Sequence, residues 1–222
     1  DMLSCEALDR YYESQFEEYK NDLDFLKKLI KVYTLSVCGR SEIFAAASEK
    51  LYSLEPSPET AHNLGIIFLS RKDYIKAEGF LKEAVLGENI DKKIMAGWYF
   101  DLAKLNSNTD EHCEAIEFAK KAVTLDANLG KAYLLLGDAF IASRDRLGDD
   151  FQQRTAFWAA ADKFDKAASV DPSLADEARQ KLTAISLQYP SNEEVFFRDL
   201  KEGEFYMVRG CINEKTTVQS RK

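Results

Sequence analysis

The side chains best suited to chemistry in this chain are few and scattered. The four cysteines are Cys5, Cys38, Cys113 and Cys211, and the only histidines are His62 and His112. A structural zinc site gathers four Cys or His ligands at short, characteristic spacings. No C-x-x-C pair occurs, and His112 and Cys113 are adjacent. Neighbours on a helix diverge by about 100°, which is poor geometry for sharing one ion. No Gly-rich phosphate loop, H-E-x-x-H or G-x-S-x-G is present. The carboxylate pairs Glu17-Glu18, Asp149-Asp150 and Glu193-Glu194 sit in polar surroundings and read as solvated surface. Trp98 and Trp158 read as packing residues, and Tyr11, Tyr12, Phe16 and Tyr19 as one packed helical stripe. The expectation is therefore no catalytic residue, no metal ligand and no cofactor: not an enzyme.

The elements that carry these residues are helical. A chain of 222 residues that is 45% apolar can bury a sizeable core. Thirty Lys and Arg against 38 Asp and Glu leave a net charge of −8, which argues against a nucleic-acid or anionic-membrane binder. Ten glycines and four prolines exclude collagen-like and disordered classes. No apolar run is long enough to span a bilayer, and no secretory signal is legible from Asp1 onward.

Internal repetition is the strongest signal. Ala61-His62-Asn63-Leu64-Gly65-Ile66-Ile67-Phe68 is followed by Ala77, Leu81 and Ala84. Tyr133-Leu134-Leu135-Leu136-Gly137-Asp138-Ala139-Phe140 is followed by Ala160, Phe164, Ala167 and Pro172. Both fit the tetratricopeptide pattern, in which small residues let two antiparallel helices approach and large ones fill the gaps. Leu64 to Trp98 and Phe68 to Leu102 are each 34 residues. Ala77 to Ala115 is 38 and Ala115 to Ala160 is 45, so four extra residues fall between Leu102 and Ala115 and eleven between Phe140 and Ala160. Those spans hold the polar turn 106–110 and the charged stretch 143–153, both between the two helices of a repeat. In the middle repeat Trp98-Tyr99 replaces Leu-Gly.

The periodicity predicts helices over 4–20, 22–36, 41–53, 58–71, 74–87, 91–105, 110–125, 129–143, 153–170, 174–187 and 192–200. Ser41, Ser57, Asp73, Asp110 and Ser173 are candidate caps, and Pro58 suits a first turn. The layout is N-terminal helices with a degenerate repeat over 1–57, three repeats over 58–172, capping helices over 173–200 and a tail over 201–222. The tail changes period. Glu204 to Val208 reads as a strand with Thr216-Thr217-Val218 as partner, a hairpin that buries Phe205 or Tyr206 together with Val208.

These residues resemble the tetratricopeptide superfamily, which implies an all-α, right-handed superhelix of antiparallel helix pairs, here with a small C-terminal β-hairpin. The chain also resembles a narrower group of secreted or periplasmic bacterial tetratricopeptide proteins of unknown function. The likeness lies in Asn21-Asp22-Leu23, the helix ending near Cys38, the run Gly130 to Asp138, and Phe157 to Asp162. It continues in Tyr189-Pro190-Ser191-Asn192-Glu193-Glu194-Val195-Phe196-Phe197 and Ile212-Asn213-Glu214-Lys215-Thr216-Thr217-Val218. This resemblance implies a periplasmic or envelope setting, with the cytoplasm as the alternative, and supplies no activity. Members often carry cysteine before the Gly-Asp of the long insertion, where this chain has Leu147, and Gly-Trp in the hairpin, where it has Gly210-Cys211. On that basis no intrachain disulfide is expected.

In such arrays the first helix of each repeat lines a concave groove. The facing residues should be His62, Asn63 and Ile66, then Ala96, Phe100 and Lys104, then Lys131, Leu134 and Asp138. This mixed apolar and charged trough suits an extended peptide or a helix. A Lys-x3-Asn clamp for a terminal carboxylate is not assembled: Glu59 precedes Asn63 by four, and Leu135 follows Lys131 by four. The expected function is a non-enzymatic scaffold that binds a protein or peptide. The alternative is an accessory or regulatory subunit of an envelope enzyme or transport complex. No nucleic acid and no membrane span are expected, and a monomer is favoured.

Overall fold

A computed structural model describes residues 4–221. In chain order the helices are α1 (Cys5–Tyr19), α2 (Leu23–Leu35), α3 (Glu42–Leu54), α4 (Pro58–Ser70), α5 (Tyr74–Ala84) and α6 (Lys92–Asn108). They continue as α7 (His112–Leu125), α8 (Gly130–Ala142), α9 (Asp150–Val170), α10 (Ala175–Ser186) and α11 (Asn192–Phe196). Short 3-10 turns occupy Arg144–Arg146 and Pro172–Leu174. Strands β1 (Phe205–Val208) and β2 (Glu214–Thr217) pair antiparallel, with Phe205 opposite Thr217 and Val208 opposite Glu214. The fold is an all-α helix-turn-helix repeat solenoid with a small C-terminal hairpin. No helix among the described residues is long and apolar enough to cross a membrane.

The chain divides into two compact units, Asp1–Ile90 and Asp91–Lys222. In the first, α2 packs on α3, α3 on α4 and α4 on α5, with α1 laid against α2 and α3. In the second, α6 packs on α7, α7 on α8, α8 on α9 and α9 on α10. Small residues set how closely the helices of a pair approach. A Cβ on Gly65 would lie 2.6 Å from Leu81 Cγ, and one on Gly137 would run into the Phe164 ring. The middle repeat departs from this arrangement. Tyr99 stands 34 residues after Gly65, and Ala119, fully buried, stands 38 after Leu81. The Tyr99 ring stacks on Phe118 of α7 with centroids 6.2 Å apart and stays half-exposed.

Three helix–helix turns share one closure, which recurs after α11, where the Leu200 N–H donates to the Val195 carbonyl at 3.2 Å behind left-handed Asp199. The N–H of Cys38 donates to the Tyr33 carbonyl at 3.0 Å, Asp73 to Phe68 at 2.9 Å and Glu111 to Asn106 at 2.9 Å. The residue before each donor is left-handed: Val37 at φ 56°, Lys72 at 62° and Asp110 at 62°. This is the bond that satisfies an orphan carbonyl at a helix C-terminus. The α2/α3 turn thus shares its closure with the α4/α5 and α6/α7 turns.

Several boundaries differ from the sequence reading. The turn expected at 106–110 begins later, because Asn106 is buried in the last turn of α6 and its Nδ2 donates to the Leu102 carbonyl at 2.8 Å. Asp110 is the left-handed residue of the turn rather than a cap, and α7 starts after Glu111 without a side-chain cap. The long insertion gives three residues to α9, where Asp149 and Gln152 form a reciprocal capping box. Ser173 does not cap; Asp171 accepts from its N–H at 3.0 Å. The last helix stops at Phe196, and the chain turns through Asp199 at φ 54°. Ser41, Ser57 and Asp73 cap as their types dictate.

Candidate partner-binding surface

The nine residues expected to line a groove fall in both units. In the first, His62, Asn63 and Ile66 lie half-buried along α4. Asn63 and Thr60 border a trough of about 460 Å³ with Ile30, Lys31 and Leu35 of α2 and Leu51 of α3. Leu35 is 75% exposed, so the floor is open to solvent. Lys27 on the rim is tied to Glu55 at 2.7 Å. The α2 contribution lies outside the expected groove residues, which come from α4, α6 and α8 alone; the inner stripe of α2 is Leu26, Leu29, Ile30 and Tyr33. Thr34, Lys31 and Lys27 on its opposite stripe were the available signal.

In the second unit, Phe100 is half-buried on α6 and Lys104 exposed, while Lys131 and Asp138 are exposed on α8. Ala96 and Leu134 are not surface residues: they are 0% and 6% exposed and belong to the core. One helical position error explains both. The stripe that faces the paired helix is wide, and a small or branched apolar residue at its margin is drawn inward. Asp138 is also not an open acid. Lys181 of α10 donates to both its oxygens at 2.8 Å, with the same ammonium 5.5 Å from the centre of the Phe164 ring.

The most heavily built polar site was not foreseen. The hairpin is docked on the second unit by Tyr206, Val208, Ile212 and Val218. The Tyr206 ring meets Trp158 edge-to-face at 5.6 Å and Phe151 at 6.3 Å. Val208, Ile212 and Val218 are at most 1% exposed. Phe205 instead points outward, 69% exposed, with Lys215 Nζ 3.7 Å from its ring centre. Glu214 lies between Lys120 of α7 and Lys163 of α9, each at 3.0 Å, and Lys120 also donates to the Ile212 carbonyl at 2.5 Å. Burial pushes the Glu214 carboxyl up, but the two lysines outweigh it and hold the group below its ordinary value. Burial pushes the neighbouring Asp162 carboxyl up.

The cysteines overturn the expectation of free thiols. Cys5 is bonded to Cys38, and Cys113 to Cys211, each with Cα atoms 5.5 Å apart. Sequence separations of 33 and 98 hid these pairings. Helix stacking brings the first turn of α1 to the α2/α3 turn, and hairpin docking brings Cys211 to the first turn of α7. Leu147 lies beside this second bridge: a Cβ on Gly210 would be 3.1 Å from it.

The architecture is that of a tetratricopeptide-like helical repeat protein. It is similar to two solved structures of MamA. One superposes with a TM-score of 0.57 at 22% identity, covering 77% of this chain and 84% of MamA. The other gives 0.58 at 21%, covering 77% and 92%. At this identity the likeness shows the fold. No protein-family model and no curated protein matches the chain.

Proposed function

We propose that the chain is a non-enzymatic scaffold that binds a protein or peptide segment on the exposed faces of its first-position helices. The observation that carries this reading is the trough on the first unit. Ile30, Leu35 and Leu51 supply an apolar floor, and Lys31, Thr34 and Asn63 a polar rim. Such a combination buries one or two apolar anchors and fixes their register by hydrogen bonds. In the second unit Phe100 on α6 is the corresponding anchor, with Lys104 one turn on along the same helix and Lys131 on α8; His62 and Ile66 extend the α4 face. Asp138 serves Lys181 first, so the partner needs no basic residue opposite it.

The two disulfides support a compartment that oxidises thiols, such as the periplasm or envelope, because thiols in the cytosol are kept reduced. Such a location also suits an accessory or regulatory subunit of an envelope enzyme or transport complex. The experiment is recovery of a partner from native envelope, followed by affinity measurement with variants. Phe100→Ala should weaken binding about tenfold or more, as aromatic anchors near an interface centre do. Leu35→Glu should abolish binding at the first unit with the helical circular dichroism retained. Binding that survives both but fails on changes over 144–154 would place the partner on the long insertion.

A further inference from the structure

We propose that Cys113–Cys211 is a thiol-exchange site that takes a dithiol reductant and latches the hairpin, whereas Cys5–Cys38 is a permanent bridge. The two bonds differ in what happens to the sulfur that leaves. Exchange is fastest when the attacked sulfur is reachable and the departing thiolate is stabilised. Cys113 sits in the first turn of α7, whose N-terminus has no side-chain cap. The Arg146 guanidinium donates to its sulfur at 3.3 Å. The exposed carboxylates of Asp110, Glu111 and Glu114 share this end of the helix and oppose a thiolate there, but the charged group that touches the sulfur is Arg146. Cys211 is half-buried in the hairpin turn. In the other bridge Cys5 is exposed, but Cys38 is 2% exposed. Attack on Cys5 would expel a thiolate at the buried Cys38, whose sulfur has the Ser36 carbonyl oxygen at 3.4 Å and no cation of the described residues against it, and attack on Cys38 is blocked by burial.

The exchange proceeds in two steps. A thiolate of the dithiol attacks Cys211 Sγ, the Cys113–Cys211 bond breaks, and its electron pair leaves on Cys113 Sγ beside Arg146. The second thiolate of the dithiol then attacks its own half of the mixed disulfide and releases Cys211, which takes a proton from water. Two electrons pass to the cysteine pair and the dithiol becomes a disulfide. The hairpin, no longer tied to α7 by a covalent bond, is held by Tyr206, its buried Val208, Ile212 and Val218, and the Lys120 and Lys163 contacts. Opening it uncovers Trp158, fully buried in the latched state, and frees Lys120 and Lys163 from Glu214. This inference is independent of the groove reading, since no residue of the latch lines that face.

The test uses the full oxidised chain under native conditions with graded dithiothreitol, differential alkylation read by mass spectrometry, and hydrogen exchange of the hairpin amides. Cys113 and Cys211 should be alkylated about tenfold faster than Cys5 and Cys38. Hairpin amides should lose protection in step, while α4 and α5 keep theirs. Arg146→Ala should slow the exchange several-fold, and Arg146→Lys should recover part of the rate; both variants should match the parent in circular dichroism before reduction. Equal rates at the two bridges, faster reduction of Cys5–Cys38, or selective reduction without loss of hairpin protection would each overturn the proposal.

Discussion

Helix α1 and the C-terminal hairpin are both additions to the repeats, and each is tied down by one disulfide, yet they are held by different physics. Only Leu8 of α1 is buried. It also leans Tyr12 on Tyr33 and Phe25 at 6.0 and 6.4 Å and Tyr19 on Phe25 at 5.5 Å, and its polar anchor is Asp9, which accepts from the buried Tyr33 hydroxyl at 2.8 Å and from Ser41, itself the cap of α3. Burial, and then the Asp9 carboxylate, push the Tyr33 phenol up. The hairpin carries an apolar wedge of Val208, Ile212 and Val218, an aromatic cluster with Trp158, and a carboxylate shared by two lysines. A two-stranded hairpin has no independent stability in water, so it must borrow a core. An amphipathic helix forms its own backbone bonds, but at 15 residues it is marginal alone and still needs the face it packs.

The sharpest way to break this contrast is to remove the hairpin. Deleting 201–222 strips three buried apolar side chains from the second unit, Val208, Ile212 and Val218, each worth about 1.5–3 kcal/mol, and should lower the melting temperature by many degrees. An unchanged melting curve would make the tail a passive appendage. Replacing both cysteines of a bridge by serine comes next. Chain entropy alone assigns about 5 kcal/mol to the 98-residue separation and about 4 to the 33-residue one. Denaturant titrations of the two double variants should therefore rank the second bridge higher; the reverse order would mean that α1 depends on its bridge more than entropy predicts. Alkylation of the unreduced chain in denaturant should find no free thiol.

Asp9→Ala leaves the buried Tyr33 hydroxyl without its charged acceptor and should cost about 2 kcal/mol, with exchange protection lost first in α1. A loss confined to the hairpin would contradict the assignment. The smallest effect concerns acid. Glu214 is held below its ordinary value of 4.5, so its contribution is complete above that value and disappears as pH falls through the lower folded value. Asp162, raised above its ordinary 3.8, acts in the opposite sense: protonation relieves it, and the relief is lost as pH rises through its folded value. Hairpin protection in the parent should decline on acidification below pH 4.5, and Glu214→Gln should flatten that decline. An equally steep loss in the variant would assign the acid sensitivity to other carboxylates.

Helix number, pairing and repeat register were legible because they rest on local pattern. Gly65 and Gly137 marked close approaches before any contact was known, and Ser41, Ser57 and Asp73 capped as their chemistry requires. The groove was less legible. Ala96 and Leu134 share the period of the groove residues, but whether a marginal position is buried depends on where the neighbouring helix lies. Asp138 looked free because Lys181 is 43 residues away.

The sequence by itself determined the helix pairs, the 34-residue period with its two insertions, and the existence of a hairpin, since backbone bonding, side-chain size and turn chemistry act within a few residues. Tertiary structure alone decided the disulfide pairing, the Lys120–Glu214–Lys163 site and the inward turn of Tyr206. Each joins residues tens of positions apart, and stacking and docking fix such distances only once the whole unit has closed.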